Sequence, residues 1–206
     1  AVPQIDPTEL SGTILVVAIA NYFAFQVNEH RNPIDNTKLN RAYPGDADGT
    51  STERIARATF DIASEADLVL DLHQGSTSRM IEEVRVRCGR RHSLHDRCLE
   101  LAKVFGCGHV LDQKGPGGQL ARAAPDEGVP TVDPELGGSV GLDPASVEAG
   151  VGGVFNLPGD HRVPPGPGPP PGPNPRPGCR ADRAPPGGRV RFRARPGPRA
   201  RSRIAP

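Results

Sequence analysis

The 206-residue chain has no apolar run near the roughly 20 residues needed to cross a bilayer, which excludes a membrane-spanning helix and points to a soluble protein. It has no charged-then-apolar leader ahead of its first element and opens on Ala1 rather than Met, so it reads as a fragment. Cysteine is scarce. Cys88, Cys98, Cys107 and Cys179 form neither a CxxC pair nor the density of a disulfide scaffold, the pattern expected of a reducing, cytoplasmic compartment. Gly115-Pro116-Gly117-Gly118 lacks a GxGxxG or GKS/T context and is read as a turn, not a phosphate cradle.

What is present divides in two. The net charge of +1 averages an acidic body, residues 1–157 with 22 acidic against 14 basic side chains, and a basic remainder, residues 158–206 with 11 arginines against Asp160 and Asp182. That remainder holds 15 of the 24 prolines, and Pro, Arg, Gly and Ala make up 39 of its 49 residues. Such a composition buries too little apolar surface to offset the entropy of ordering, so a disordered tail is expected. These four residue types have codons that can be written wholly in G and C, so a shifted reading frame is the expected origin. A nucleic-acid arm is the reading ranked last, because Phe192 is the tail's one aromatic side chain for stacking on bases.

The body alternates strand and helix signals. Gly12–Ala20 is β-branched and apolar and predicts a buried strand. A polar loop from Gln26 to Lys38 follows. Thr50-Ser51-Thr52-Glu53 matches a capping box and predicts a helix over 51–64 that buries Ile55, Ala56, Phe60 and Ala63. Leu68–Leu72 predicts a buried strand that delivers His73 to its C-terminal edge, where open α/β sheets bind ligands. Further strands are expected over Met80–Cys88, His109–Leu111 and Gly128–Glu135, and helices over His92–Phe105 and Asp143–Leu157, the last with Asp143 as N-cap before Pro144. The whole predicts an α/β domain with a mixed sheet covered by helices.

Four ordered motifs carry a resemblance. Leu39-Asn40-Arg41 with Tyr43-Pro44-Gly45, then Gly49-Thr50 and Thr52–Ala56, then Leu70-Asp71-Leu72-His73, then Glu135-Leu136-Gly137-Gly138 resemble the succinylglutamate desuccinylase/aspartoacylase family, zinc-dependent amidohydrolases on a carboxypeptidase-like fold. The resemblance covers about Leu10 to Leu157. It implies that His73 is a ligand of one zinc ion, that Glu135 is the general base, and that Asn40 and Arg41, with Arg31, hold the substrate's carboxylate. The substrate it implies is a small N-acyl amino acid.

The residue chemistry is consistent with those roles. A zinc hydrolase needs three protein ligands and one open position, and the metal brings the pKa of water to about 7. A nearby carboxylate moves the proton, and an arginine fork matches a carboxylate bidentately. Asp71, two residues before His73, shares its face of the strand and is the expected orienter of the imidazole.

The sequence departs from the family pattern at both ends. The His-Gly-Asn/Asp-Glu motif that carries the family's first two zinc ligands, upstream of Leu10, is absent, and His30 has no Glu three residues on to replace it. The family's small C-terminal β-rich domain gives way after Leu157 to Pro/Arg/Gly sequence. The alternative to a deacylase is therefore a fragment or pseudoenzyme that keeps the fold without the metal.

Overall fold

A computed structural model describes residues 5–6, 12–74, 82–138 and 143–157. The expected disordered tail lies outside the described residues, as do Gly75, Met80 and Ile81. Helix α1 (Tyr22–Gln26) leads through a polar loop to a 3-10 turn at Leu39–Arg41 and to α2 (Ser51–Ser64). After these come β1 (Val69–Leu70), β2 (Glu83–Val86), α3 (His95–Phe105), β3 (His109–Asp112), α4 (Leu120–Ala123), a 3-10 turn (Ala124–Glu127), β4 (Thr131–Glu135) and α5 (Pro144–Phe155). No helix among the described residues is long and apolar enough to cross a membrane.

The sheet is mixed, in the order β1-β4-β2-β3. β1 runs parallel to β4 and β2 parallel to β3, whereas β2 and β4 are antiparallel. Its two faces differ. Val84, Val86 and Val132, with Leu70, pack on Cys98, Leu101, Ala102 and Phe105 of α3. On the opposite face Val69 packs into a second cluster built from Ala56, Phe60 and Ala63 of α2 with Leu39, Tyr43, Leu120 and Val129. Further along that face the residues become charged, because side chains of extended chain alternate and the sequence there reads Asp71, His73 just past β1 and Asp133, Glu135 on β4.

Helix α2 starts where its capping box places it. The Thr50 side chain accepts from the Glu53 N–H, and the Glu53 carboxylate accepts from the Thr50 N–H at 2.8 Å. Ala56, Phe60 and Ala63 are buried as expected, Thr52 joins them, and Ile55 is only partly covered. Helix α5 has the predicted N-cap, the Asp143 side chain accepting from the Ala145 N–H, with Pro144 at the first helical position.

Three expectations are corrected. Gly12–Ala20 is not a buried strand: Ile14, Leu15, Val16 and Val17 are each more than 40% exposed and pair with no strand among the described residues. β-Branched residues favour a strand only where a neighbouring strand supplies hydrogen bonds and cover, and the described residues supply neither there. Helix α3 begins at His95 rather than His92, because Nδ1 of His92 accepts from the Leu94 N–H and closes a turn ahead of the helix. The run from Leu68 to Leu72 is only half-buried, and Leu72 is 52% exposed.

The brevity of β1 has a cause in β4. The N–H groups of Val69, Asp71 and His73 donate to the carbonyls of Pro130, Val132 and Pro134, and the Leu136 N–H donates back to the His73 carbonyl at 2.9 Å. By the two-residue repeat of a parallel ladder, residue 134 would donate to the Asp71 carbonyl. Pro134 has no N–H to give, so the ladder loses a rung and resumes as an isolated bridge between His73 and Glu135.

Candidate active site

The register that sets Val69 beside Thr131 puts Asp71 beside Asp133 and His73 beside Glu135, all on one face. On the other side of β4, Glu83 pairs with Glu135 and Arg85 with Asp133. A row of charged side chains therefore crosses three strands, and it is largely hidden from water: Asp133 is 2% exposed, Glu135 6% and Arg87 8%.

Each carboxylate of β4 is held at one oxygen by an arginine, Arg85 on β2 or Arg87 just past its end. Arg85 Nη1 donates to Glu135 Oε1 and its Nε to Glu83 Oε1 at 2.6 Å. Arg87 Nε donates to Asp133 Oδ2 at 3.3 Å. The other oxygen of Asp133, Oδ1, is buried without a hydrogen-bond partner among the described residues, with His73 Nε2 4.0 Å away. His73 Nε2 pairs with Asp71 Oδ2 at 3.1 Å, as expected of an orienting carboxylate.

The electrostatics follow from this crowding. Burial pulls the His73 pKa down, but the Asp71 hydrogen bond and the charges of Asp71, Asp133 and Glu135 outweigh it and bring the value to about 9. Burial pushes Asp133 up to about 6; Asp71 and Glu135 add to the rise, while His73 and Arg87 oppose it. Burial likewise raises the Tyr43 phenol, and the nearby Asp71 charge raises it further.

One ring nitrogen of His73 and one oxygen each of Asp133 and Glu135 lie within 4.8 Å of one another. Imidazole nitrogen and carboxylate oxygen are ligand types that zinc takes, and an orphaned buried oxygen among them is what a missing cation would leave, so the donor set fits such an ion. A cavity of about 340 Å³ opens beside His73, walled by Leu72, Leu136, Val147, Val151 and Val154, with Ser146 among its few polar groups. That is room for a small ligand.

Among the described residues, no hydrogen bond or ion pair links the three residues expected to bind a carboxylate to this row. Arg31 is exposed, its Nη1 donating to the Asn36 carbonyl at 2.8 Å. Asn40 and the exposed Arg41 form the 3-10 turn, where Arg41 Nη1 donates to the Asn40 carbonyl at 2.5 Å. Neither guanidinium has an ion-pair partner among the described residues, and each spends Nη1 on a backbone carbonyl. The turn is fixed by a close approach: Gly118, at φ +78°, lies so near the Arg41 backbone that an added Cβ would stand 2.3 Å from its carbonyl. Tyr43, two residues on, donates its N–H to the Gly118 carbonyl and sits in the α2 cluster.

Asp133, Arg85 and Arg87 were missed by sequence reasoning. Their signal was there, since Glu83-Val84-Arg85-Val86-Arg87 and Thr131–Glu135 both alternate, but alternation gives a face and not the neighbouring strand. His92 and His95, at helical spacing in sequence, go to different carboxylates: His92 Nε2 to Asp126 at 3.2 Å and His95 Nε2 to Asp112 at 3.0 Å.

Fold and site together define an α/β domain with a histidine–carboxylate group at the strand ends of a mixed sheet. The chain belongs to the succinylglutamate desuccinylase/aspartoacylase family, whose catalytic domain matches residues 2–158. It is similar to an N-alpha-acetyl-L-2,4-diaminobutyric acid deacetylase of Halomonas elongata, 34% identical over 109 residues that make up 50% of this chain and 31% of the relative. Among solved structures it resembles the product-bound ectoine utilization protein EutE (DoeB) of Ruegeria pomeroyi, with a TM-score of 0.67, 27% identity and cover of 72% of this chain and 47% of that one. It also resembles a succinylglutamate desuccinylase/aspartoacylase of Rhodobacter sphaeroides, with a TM-score of 0.66, 25% identity and cover of 73% and 45%. The chain thus spans about a third of the curated relative and just under half of these solved structures.

Proposed function

We propose that this chain carries the base and substrate-holding half of a zinc-dependent deacylase that hydrolyses the amide bond of a small N-acyl amino acid. The observation behind this reading is the side-by-side placement of His73 and Glu135 on adjacent strand ends, in a chain of this family. A zinc ion held by His73 would supply Lewis acidity, acidifying water and polarising the amide carbonyl. Asp71, paired with the imidazole's Nε2, would hold the ring in place for that ion.

Glu135 takes the proton of the attacking water and returns it to the departing amine nitrogen. Arg85 holds Glu135 Oε1, which leaves Oε2 as the oxygen that moves the proton. Arg41, with Asn40 and Arg31, grips the substrate carboxylate, a planar fork matching two oxygens at once. The apolar cavity beside His73 has room for the acyl group or the amino-acid side chain. The relatives' activities set the substrates for the test. The chain with a His-Gly-Asn/Asp-Glu segment of the family restored ahead of it, supplied with zinc, is offered N-acetyl-2,4-diaminobutyrate and N-succinylglutamate, and released amine is measured. Zinc-dependent release supports the reading; no release from either substrate, with zinc bound, refutes it.

A further inference from the structure

The cavity beside His73 and the turn that carries Asn40 and Arg41 lie on opposite faces of the sheet. Leu39 and Tyr43, which bracket that turn, pack into the α2 cluster. Leu136 belongs instead to the α3 cluster, and α5, which walls the cavity, sets Gly153 against the Phe105 ring of α3. His73 and Glu135 stand between the two, at the strand ends. In an N-acyl amino acid the carboxylate and the side chain both belong to the amine half, and the acyl chain leaves the amide carbon in the other direction. With the carboxylate at Arg41 on one face and the amide at His73, the group that reaches the cavity on the other face is the acyl chain.

The cavity's chemistry then selects among acyl groups. Its walls are the side chains of Leu72, Leu136, Val147, Val151 and Val154, and among the described residues no lysine or arginine lines it. Its polar corner is acidic. The Ser146 hydroxyl reaches two carboxylates, Asp143 Oδ2 at 2.9 Å and Glu82 Oε1 at 3.1 Å, and has one proton to donate between them. A carboxylate at the far end of an acyl chain would give up water to apolar walls and meet like charge at that corner. A hydrocarbon chain gains burial there, and the volume of about 340 Å³ is far more than a methyl group fills. We infer that this cavity is an acyl pocket for uncharged aliphatic chains longer than acetyl, and that Asp143 at its rim turns away dicarboxylic acyl groups such as succinyl. The inference rests on the deacylase reading and narrows the acyl half of its substrate.

The test uses the zinc-supplied chain with the His-Gly-Asn/Asp-Glu segment restored, for amine release, and its Glu135→Gln form, for binding by calorimetry. Acetyl, butyryl, 4-methylpentanoyl and succinyl groups are each placed on 2,4-diaminobutyrate and on glutamate. The last two acyl groups have the same heavy-atom skeleton and differ in two methyls against two carboxylate oxygens. Each methylene buried in the cavity should tighten binding about four-fold, so butyryl should bind at least five-fold tighter than acetyl. The 4-methylpentanoyl group should bind at least ten-fold tighter than succinyl, with the same order in kcat/KM carried by KM. Asp143→Asn keeps an N-cap for α5 and should shrink that last ratio at least three-fold. Val151→Phe fills the cavity and should reverse the order, acetyl over 4-methylpentanoyl. Succinyl bound as tightly as 4-methylpentanoyl overturns the inference, as does butyryl bound no tighter than acetyl. So does a folded Val151→Phe variant that keeps the parental order, whereas a folded Asp143→Asn variant with the parental ratio removes Asp143 from the discrimination. Amine release separates the two readings. The expected binding order with no release from any substrate removes only the deacylase, and release that favours succinyl removes only the acyl pocket.

Discussion

Asp35 ties the loop that carries Arg31 to the start of α2, and removing it should show how that loop is held. One carboxylate oxygen accepts from the Thr52 N–H at 2.6 Å, and the other from the Thr52 hydroxyl at 2.7 Å and the Thr37 N–H at 3.1 Å. Thr52 is fully buried, so in Asp35→Ala its two donors lose their partner with little access to water. Hydrogen bonds to ionised groups contribute about 1.5–3 kcal/mol each in favourable cases. Asp35 is itself half-exposed, so the expected loss for the three together is nearer 2–3 kcal/mol, read as a lowered urea midpoint. The pH dependence has a fixed sign. Burial alone would raise the Asp35 pKa, but the Thr52 hydroxyl and N–H and the Thr37 N–H outweigh it and the net shift is downward from 3.8. Stabilisation from a depressed carboxylate is full above the unfolded pKa and is lost as pH falls through the folded one. The gap between parent and Asp35→Ala should therefore be widest at neutral pH and close below about pH 4. Arg31 should lose its position too, raising KM for a carboxylate substrate. A stability loss under about 0.5 kcal/mol, far below that expected for these bonds, or a gap unchanged on acidification, would refute this account.

Three further perturbations bear on the site and its frame. Arg41→Lys removes the bidentate fork and should cost about 2–3 kcal/mol in kcat/KM with folding intact; unchanged kinetics would remove Arg41 from substrate binding. Glu135→Gln keeps the shape but cannot take the proton, so kcat should fall by about 10²-fold or more with substrate KM little changed, and parental turnover would rule out Glu135 as the base. Away from the site, the Asp112 hydrogen bond holds the His95 pKa above 6.5, with Asp96 helping against burial. That stabilisation is complete below pH 6.5 and disappears as pH rises through the raised value, so parent and His95→Asn should converge in urea midpoint on the alkaline side; a constant difference between pH 6 and 10 would contradict it.

The parts of the fold legible in sequence were those decided locally. The capping box at Thr50–Glu53 fixed one end of α2, and Asp143-Pro144 fixed the start of α5, because each satisfies free N–H groups within a few residues. His73 and Glu135 at strand ends were legible because a strand pattern stops at each, one ahead of Gly75 and the other ahead of Gly137-Gly138. What was not legible depended on a neighbour. Gly12–Ala20 has the composition of a strand but nothing described to pair with, and the shortness of β1 is decided by Pro134, more than 60 residues away. The same holds for the site. Asp71 could be placed beside His73 from a two-residue spacing, whereas Arg85 and Arg87 reach the carboxylates of β4 only through the antiparallel register.

Stability does not account for that charged row. Ion pairs taken out of water recover little more than their desolvation cost, and well-packed apolar residues of similar volume often do as well or better. The opposite face of the same strands shows that alternative in place, since Val84, Val86 and Val132 pack on α3 with no polar group to satisfy. The apolar solution is also used on the charged face, where Val69 meets the α2 cluster, and it stops at Asp71, one residue past the end of β1. Arg85 and Arg87 then offset part of the burial cost of Glu135 and Asp133 without neutralising the row. The sheet sets four carboxylates against two arginines and, among the described residues, leaves one carboxylate oxygen without a hydrogen bond beside a histidine, an arrangement that packing alone does not require.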